Sequence, residues 1–260
     1  MIDPLMFIAL LPAVVLVVYI CRKDRTDKEP PALIAKLLGY GVLSCLPAIV
    51  VELILSAIIE RLNVRNAYLG YFLEAFVVAG LTEETCKFLF LRTTWRNPAF
   101  DYQFDAIVYA VMVALGFAAF ENVKYVYSYG FATGIVRAVT AVPGHAIFGV
   151  FMGYFYGYAK LSDYWGRDDD RKAYLALSVV VPVLMHGCYD FLAFTQESDS
   201  RFTLLFYAYL VALYVFGIRR VNRSSRSDRR VTRETVFDYF RRMQYPMPPQ
   251  YRDRNDDFWR

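Results

Sequence analysis

The chain has 260 residues, 57% of them hydrophobic and 17% aromatic, with a net charge of +4 and a mean hydropathy of +0.30. Soluble domains are nearer ~45 to 50% apolar, so this composition excludes disorder, a disulfide scaffold and a soluble nucleic-acid binder. It points to a membrane protein, because the apolar residues gather into runs of bilayer length. The basic excess belongs to the end of the chain, where residues 219–260 carry 12 Lys+Arg against 6 Asp+Glu and leave 17 against 19 for the rest.

At ~20 residues per crossing, seven spans are expected, at 4–21, 32–59, 67–91, 104–127, 134–158, 173–194 and 202–218. The first has Asp3 and no Lys or Arg ahead of its apolar stretch, so it reads as a retained anchor rather than a cleaved signal peptide. Basic residues mark alternate connections: Arg22, Lys23, Arg25 and Lys28 after the first span, Arg92 and Arg96 after the third, and Lys160, Arg167, Arg171 and Lys172 after the fifth. The positive-inside bias makes these connections and the tail cytoplasmic and the N-terminus outside. The expected fold is therefore an all-α polytopic membrane bundle of about seven transmembrane helices in the cell membrane. Residues 1–218 form its helical domain and 219–260 a basic cytoplasmic tail that meets anionic lipid. Within the tail, Val231 to Gln244 could form a short surface helix. Cys21, Cys45, Cys86 and Cys188 lie in or beside apolar runs, and no structural disulfide is expected.

Ionisable groups cost ~2.5 to 3.5 kcal/mol each at the centre of a membrane helix, so each needs a partner or a function. Span three contains Glu83, Glu84 and Lys87; span four, Glu121 and Lys124; span five, His145; span six, His186 and Asp190. The only two histidines of the chain are thus both intramembrane. Imidazoles beside carboxylates are what a divalent metal or an activated water requires. Glu83 and Glu84 precede Lys87 by four and three residues, so both can reach its ammonium along one helix. An internal ion pair would explain one carboxylate and leave the other to face a cavity. His186 and Asp190 are also four apart, a spacing at which the carboxylate can fix the imidazole tautomer. His145, Gly149, Gly153 and Gly157 recur every fourth residue and align the histidine with a face that another helix can approach closely. Pro143 and Pro182 each remove a backbone donor near an imidazole and should loosen their helices there.

At these residues, from Glu83 to Asp190, the sequence resembles the PrsW family of intramembrane proteases, distantly similar to the CAAX prenyl endopeptidase (Abi) superfamily. Four motifs carry the resemblance in order: Glu83, Glu84 and Lys87; Phe120, Glu121 and Tyr125; His145 and Gly149; His186 and Asp190. It implies a hydrolase that cleaves a membrane-anchored protein, typically an anti-sigma factor, in a bacterial cytoplasmic membrane. The implied catalytic set is Glu83, Glu84, Glu121, His145 and His186, supported by Lys87, Tyr125 and Asp190. In the more distant relatives a histidine follows the phenylalanine of the second motif by four residues; here Phe117 is followed at that distance by Glu121. Two mechanisms use these residues. In one, Glu121, His145 and His186 hold a zinc-like ion with water in the fourth position, and Glu83 or Glu84 is the base. In the other, without metal, Glu83 and one histidine activate the water and the second histidine stabilises the oxyanion. Buried Glu and His also suit a proton- or ion-coupled transporter, which competes with the protease, and a seven-span receptor is a third reading. Against the transporter, the chain has no obvious repeated halves; against the receptor, such a protein needs no Glu-Glu and His-His core.

Overall fold

The computed structural model describes residues 3 to 231, a helical bundle. Helix α1 (Pro4–Lys23) starts where the Asp3 carboxylate accepts the Leu5 N–H and proline occupies the first turn, where its missing donor costs nothing. Helix α2 (Pro31–Arg61) follows, and both helices pack on the later helix of residues 105–129. Residues 67–91 are continuously helical but change pitch, from α3 (Ala67–Phe72) through a π-helix (Leu73–Leu81) to α4 (Thr82–Leu91). A 3-10 turn (Arg92–Thr94) leads to α5 (Asp105–Tyr129), followed by α6 (Phe131–Val139), α7 (Ala141–Tyr164), α8 (Asp168–Ser198) and α9 (Arg201–Arg226). Among the described residues, six helical runs, α6 and α7 counted as one, are long and apolar enough to cross a membrane, and the pitch-changing run over 67–91 corresponds to the remaining expected span. The protein is an all-α, multi-pass membrane bundle.

Two segments differ from the sequence expectation. The fifth span is broken, because α6 ends at Val139 and α7 restarts at Ala141 around a bend at Thr140. Pro143 therefore falls in the first turn of α7. The backbone N–H groups of a first turn have no intrahelical acceptor, so Pro143 deletes no bond there; Pro182 does lie inside α8. The other difference is that α9 continues to Arg226, so the first residues of the basic tail are helical. Of the helix considered over Val231 to Gln244, only Val231 is described. Its N–H donates to the Asp101 carbonyl, and Gln103 donates to the Arg229 carbonyl, so the chain after α9 is tied to the turn before α5.

The centre of the bundle is the α5–α7 pair. A Cβ on Gly153 would stand 2.4 Å from the Ala106 carbonyl, and one on Gly149 2.9 Å from the Ala114 methyl. Only hydrogen at these positions lets the backbones approach so closely, which is the use of the small-residue face ending at His145. Around this seam Tyr109, Phe148, Met152 and Tyr156 are fully buried. The four cysteines are free thiols.

Candidate active site

The site is built where α4, α5, α7 and α8 face one another. The π-helix ends one residue before Thr82, and such wide turns recur at functional sites because they redirect the side chains that follow. Here the wide segment is held by α8: a Cβ on Gly80 would lie 3.1 Å from the Val183 carbonyl, and Gly187 packs on the Phe76 ring. Glu83, Glu84 and Lys87 follow on α4, all buried. Adjacent residues diverge by ~100° around a helix, yet both carboxylates reach the one ammonium. The Lys87 Nζ donates to Glu83 Oε2 at 3.1 Å and to Glu84 Oε1 at 2.8 Å. Its third proton goes to His145 Nδ1 at 3.1 Å, and its charge lies 4.0 Å from the centre of the Phe117 ring.

An ammonium can only donate, so Nδ1 of His145 is an acceptor, and the neutral ring carries its proton on Nε2. That nitrogen lies 2.9 Å from Glu121 Oε2. His186 differs in having a carboxylate at each nitrogen, with Nε2 3.2 Å from Asp190 Oδ2 and Nδ1 2.9 Å from Glu84 Oε1; carboxylates only accept, so both of its nitrogens donate. Each histidine thus has a carboxylate behind Nε2 that fixes its orientation, and each turns Nδ1 toward α4, His145 to the Lys87 ammonium and His186 to the Glu84 carboxylate. The two rings stand 5.1 Å apart, edge to face.

Arg137 completes the group and was not singled out from the sequence. It lies on α6, with Nη2 2.9 Å from Glu121 Oε2, Nε donating to Asn122 Oδ1 at 3.1 Å and its guanidinium 3.9 Å from the Tyr125 ring centre. The only signal for it in the sequence was a lone arginine near the start of the otherwise apolar fifth expected span, 134–158.

A cavity of about 450 Å³ opens over these residues, and Glu83, Glu121, Tyr125, Arg137, His145, His186 and Asp190 all line it. Glu84, fully buried, stands behind this wall against Lys87 and His186. One donor atom each of Glu83, Glu84, His145 and His186 lies within 4.8 Å of the others, and Glu84 Oε2 is buried without a hydrogen-bond partner. Two carboxylates, two imidazoles and a spare lone pair are a donor set that suits a divalent ion such as zinc. Of the three ligands expected from the sequence, His145 and His186 belong to this compact group, while Glu121 stands at the other nitrogen of His145 and is paired with Arg137.

With the geometry in view, comparison with known proteins is informative. Residues 29–218 match the model of the PrsW family of intramembrane metalloproteases. The chain belongs to that family. It is 34% identical to the protease PrsW of Bacillus subtilis over 82% of this chain and 92% of the relative, and 35% identical to the protease PrsW of Oceanobacillus iheyensis over 82% and 93%. The protease PrsW of Clostridioides difficile is 28% identical over 87% and 94%. No solved structure matches the chain. The protein is an intramembrane protease, and the four motifs that suggested this from sequence alone meet in one cavity.

Proposed function

We propose that the chain hydrolyses a peptide bond of a membrane-anchored protein at the cavity between α4, α5, α7 and α8, with Glu83 as the base that activates water. The supporting observation is that Glu83, His145 and His186 line the same cavity, whereas Glu84 is enclosed. Glu83 Oε2 lies 3.1 Å from Lys87 and 3.9 Å from His186 Nδ1, so a water held against it has an acceptor for its proton and a cation nearby. General base catalysis of this kind contributes ~10²- to 10⁴-fold. His186, backed by Asp190, is placed to pass that proton to the leaving amine. His145, held by Glu121 on one side and Lys87 on the other, fixes that ammonium beside the base.

Glu84, His145 and His186 would hold a divalent ion, zinc by donor chemistry, leaving Glu83 as the base; Glu121 orients His145 from outside these four side chains. When bound, such an ion supplies Lewis acidity and lowers the pKa of its water. A metal-free reading has its own support in Lys87, whose ammonium already touches three of these four side chains and neutralises the carboxylates without an ion.

The substrate class is an anti-sigma factor cleaved in regulated intramembrane proteolysis, as the family resemblance implies. The compartment is a bacterial cytoplasmic membrane, with the basic tail inside against anionic lipid and the N-terminus outside. These assignments are tested by incubating the purified protein with a membrane-anchored reporter and comparing Glu83→Gln, Glu84→Gln and His145→Ala variants. Loss of cleavage is expected in all three, with restoration by zinc after chelation if the ion is resident. Unchanged cleavage in all three, or ion flux that disappears in them with no cleavage anywhere, would overturn the proposal in favour of a transporter.

A further inference from the structure

A second cleft, of about 400 Å³, opens between α7, α8 and α9. Its floor is apolar, with buried Leu213 beside Phe151 and Met185, and one end is ringed by Arg219, Arg220 and Arg223. Along α9 the ten steps from Tyr209 to Arg219 rise ~15 Å, half of a ~30 Å hydrocarbon core and so the depth of one leaflet. Beyond the arginines a polar recess of about 220 Å³ shares Arg220 and Arg223 and adds the hydroxyls of Tyr154, Tyr158, Ser224 and Ser227.

Among the described residues none of these three arginines forms an ion pair with a carboxylate; the Arg220 guanidinium rests 4.0 Å from the centre of the Tyr154 ring. The basic end of α1 packs alongside, where Lys23 Nζ donates to Asn222 Oδ1 at 2.6 Å. A leaflet-deep apolar groove ending in unpaired guanidiniums, with hydroxyls beyond, is complementary to one kind of molecule. Guanidinium forks match phosphate oxygens, and basic pockets between membrane helices bind anionic headgroups.

We propose that this cleft is a binding site for one anionic phospholipid. An acyl chain lies along α9 from Tyr209 to Phe216, the phosphate is held by Arg219, Arg220 and Arg223, and a hydroxyl-bearing headgroup enters the recess.

The test uses the full chain in neutral detergent with equal amounts of phosphatidylglycerol and phosphatidylcholine, read by native mass spectrometry. One phosphatidylglycerol should be retained in preference. An Arg220→Gln, Arg223→Gln double variant should lower that preference on the order of 10-fold. Ala212→Trp, which fills the acyl groove and keeps the arginines, should abolish retention, whereas Arg226→Gln, at the same helix end but outside the cleft, should leave it intact. Equal retention of the two lipids overturns the site. So does a loss in Arg226→Gln as large as in the double variant, which would mean diffuse surface charge. Retention that survives Ala212→Trp and is displaced by inorganic phosphate would make it a phosphate site, and a lipid-free dimer broken by Ala212→Trp would make it a subunit contact. Because the readout is bound lipid mass rather than cleavage, this inference and the protease mechanism fail separately.

Discussion

The most apolar stretches of helices α5 and α9 are nearly equal in mean hydropathy, yet 78% of that stretch of α5 is buried inside the protein against 22% for α9. Apolar character takes a segment into the bilayer but does not choose between protein and lipid as its neighbour, since a lipid tail is as apolar as a leucine. Residue size makes that choice. The α5–α7 seam is lined by Ala106, Ala110 and Ala114 against Gly149, Gly153 and Gly157, so the helices meet backbone to backbone. On α9, Leu204, Val211 and Phe216 face outward. The close seam places Glu121 against His145, with His145 Nε2 2.9 Å from Glu121 Oε2.

The most damaging substitution on the inner side should be Lys87→Met. Removing a buried cation that satisfies two carboxylates costs ~3 to 5 kcal/mol, read as a loss of unfolding free energy in detergent. A change below about 1 kcal/mol would show the ion pairs to be water-exposed and the buried cluster to be misassigned. Gly153→Leu comes next, at ~1 to 3 kcal/mol or more from overpacking, while Phe216→Leu on α9 should stay within about 0.5 kcal/mol; equal effects would erase the contrast between the helices. Arg137→Gln should lower kcat about 10- to 100-fold, the usual effect of losing an outer partner of a working histidine, with KM little changed and partial recovery in Arg137→Lys. A pure KM effect would move Arg137 to substrate binding.

The smallest effect concerns the connection between α1 and α2, outside the membrane. Burial pushes the Glu29 carboxyl up to about 7 and that of Asp24 to about 6, against ~4 in an unfolded chain. Between these values the folded protein holds protons that the unfolded chain has released, so stability is highest at the acid side and falls as pH rises from about 4 to about 7. Glu29→Gln should flatten that fall, seen as a smaller difference between melting temperatures at pH 5 and pH 8. An unaltered slope would place the titration elsewhere.

Much of the site was legible because its signals are local. Glu83 and Lys87, and His186 and Asp190, are four residues apart, and a helix turns that spacing into contact whatever surrounds it. Arg137 was not legible, since its partner Glu121 is on another helix and only the bend at Thr140 brings α6 over the cavity. The same bend sets the depth of His145 against Glu121. With α7 starting at Ala141, His145 is about one turn from the start of its helix, at the level reached by the last turns of α5.

Composition and periodicity by themselves determined that this is a helical membrane protein with carboxylates and imidazoles on four successive spans, because hydropathy and turn-by-turn spacing are properties of a single segment. Only the tertiary structure decided that Glu83 lines the cavity while Glu84 is enclosed, that Lys87 serves both, and that each histidine turns the same nitrogen inward. Those outcomes depend on how one helix is rotated against the next, which is set by the π-turn before α4 and the glycine seam between α5 and α7.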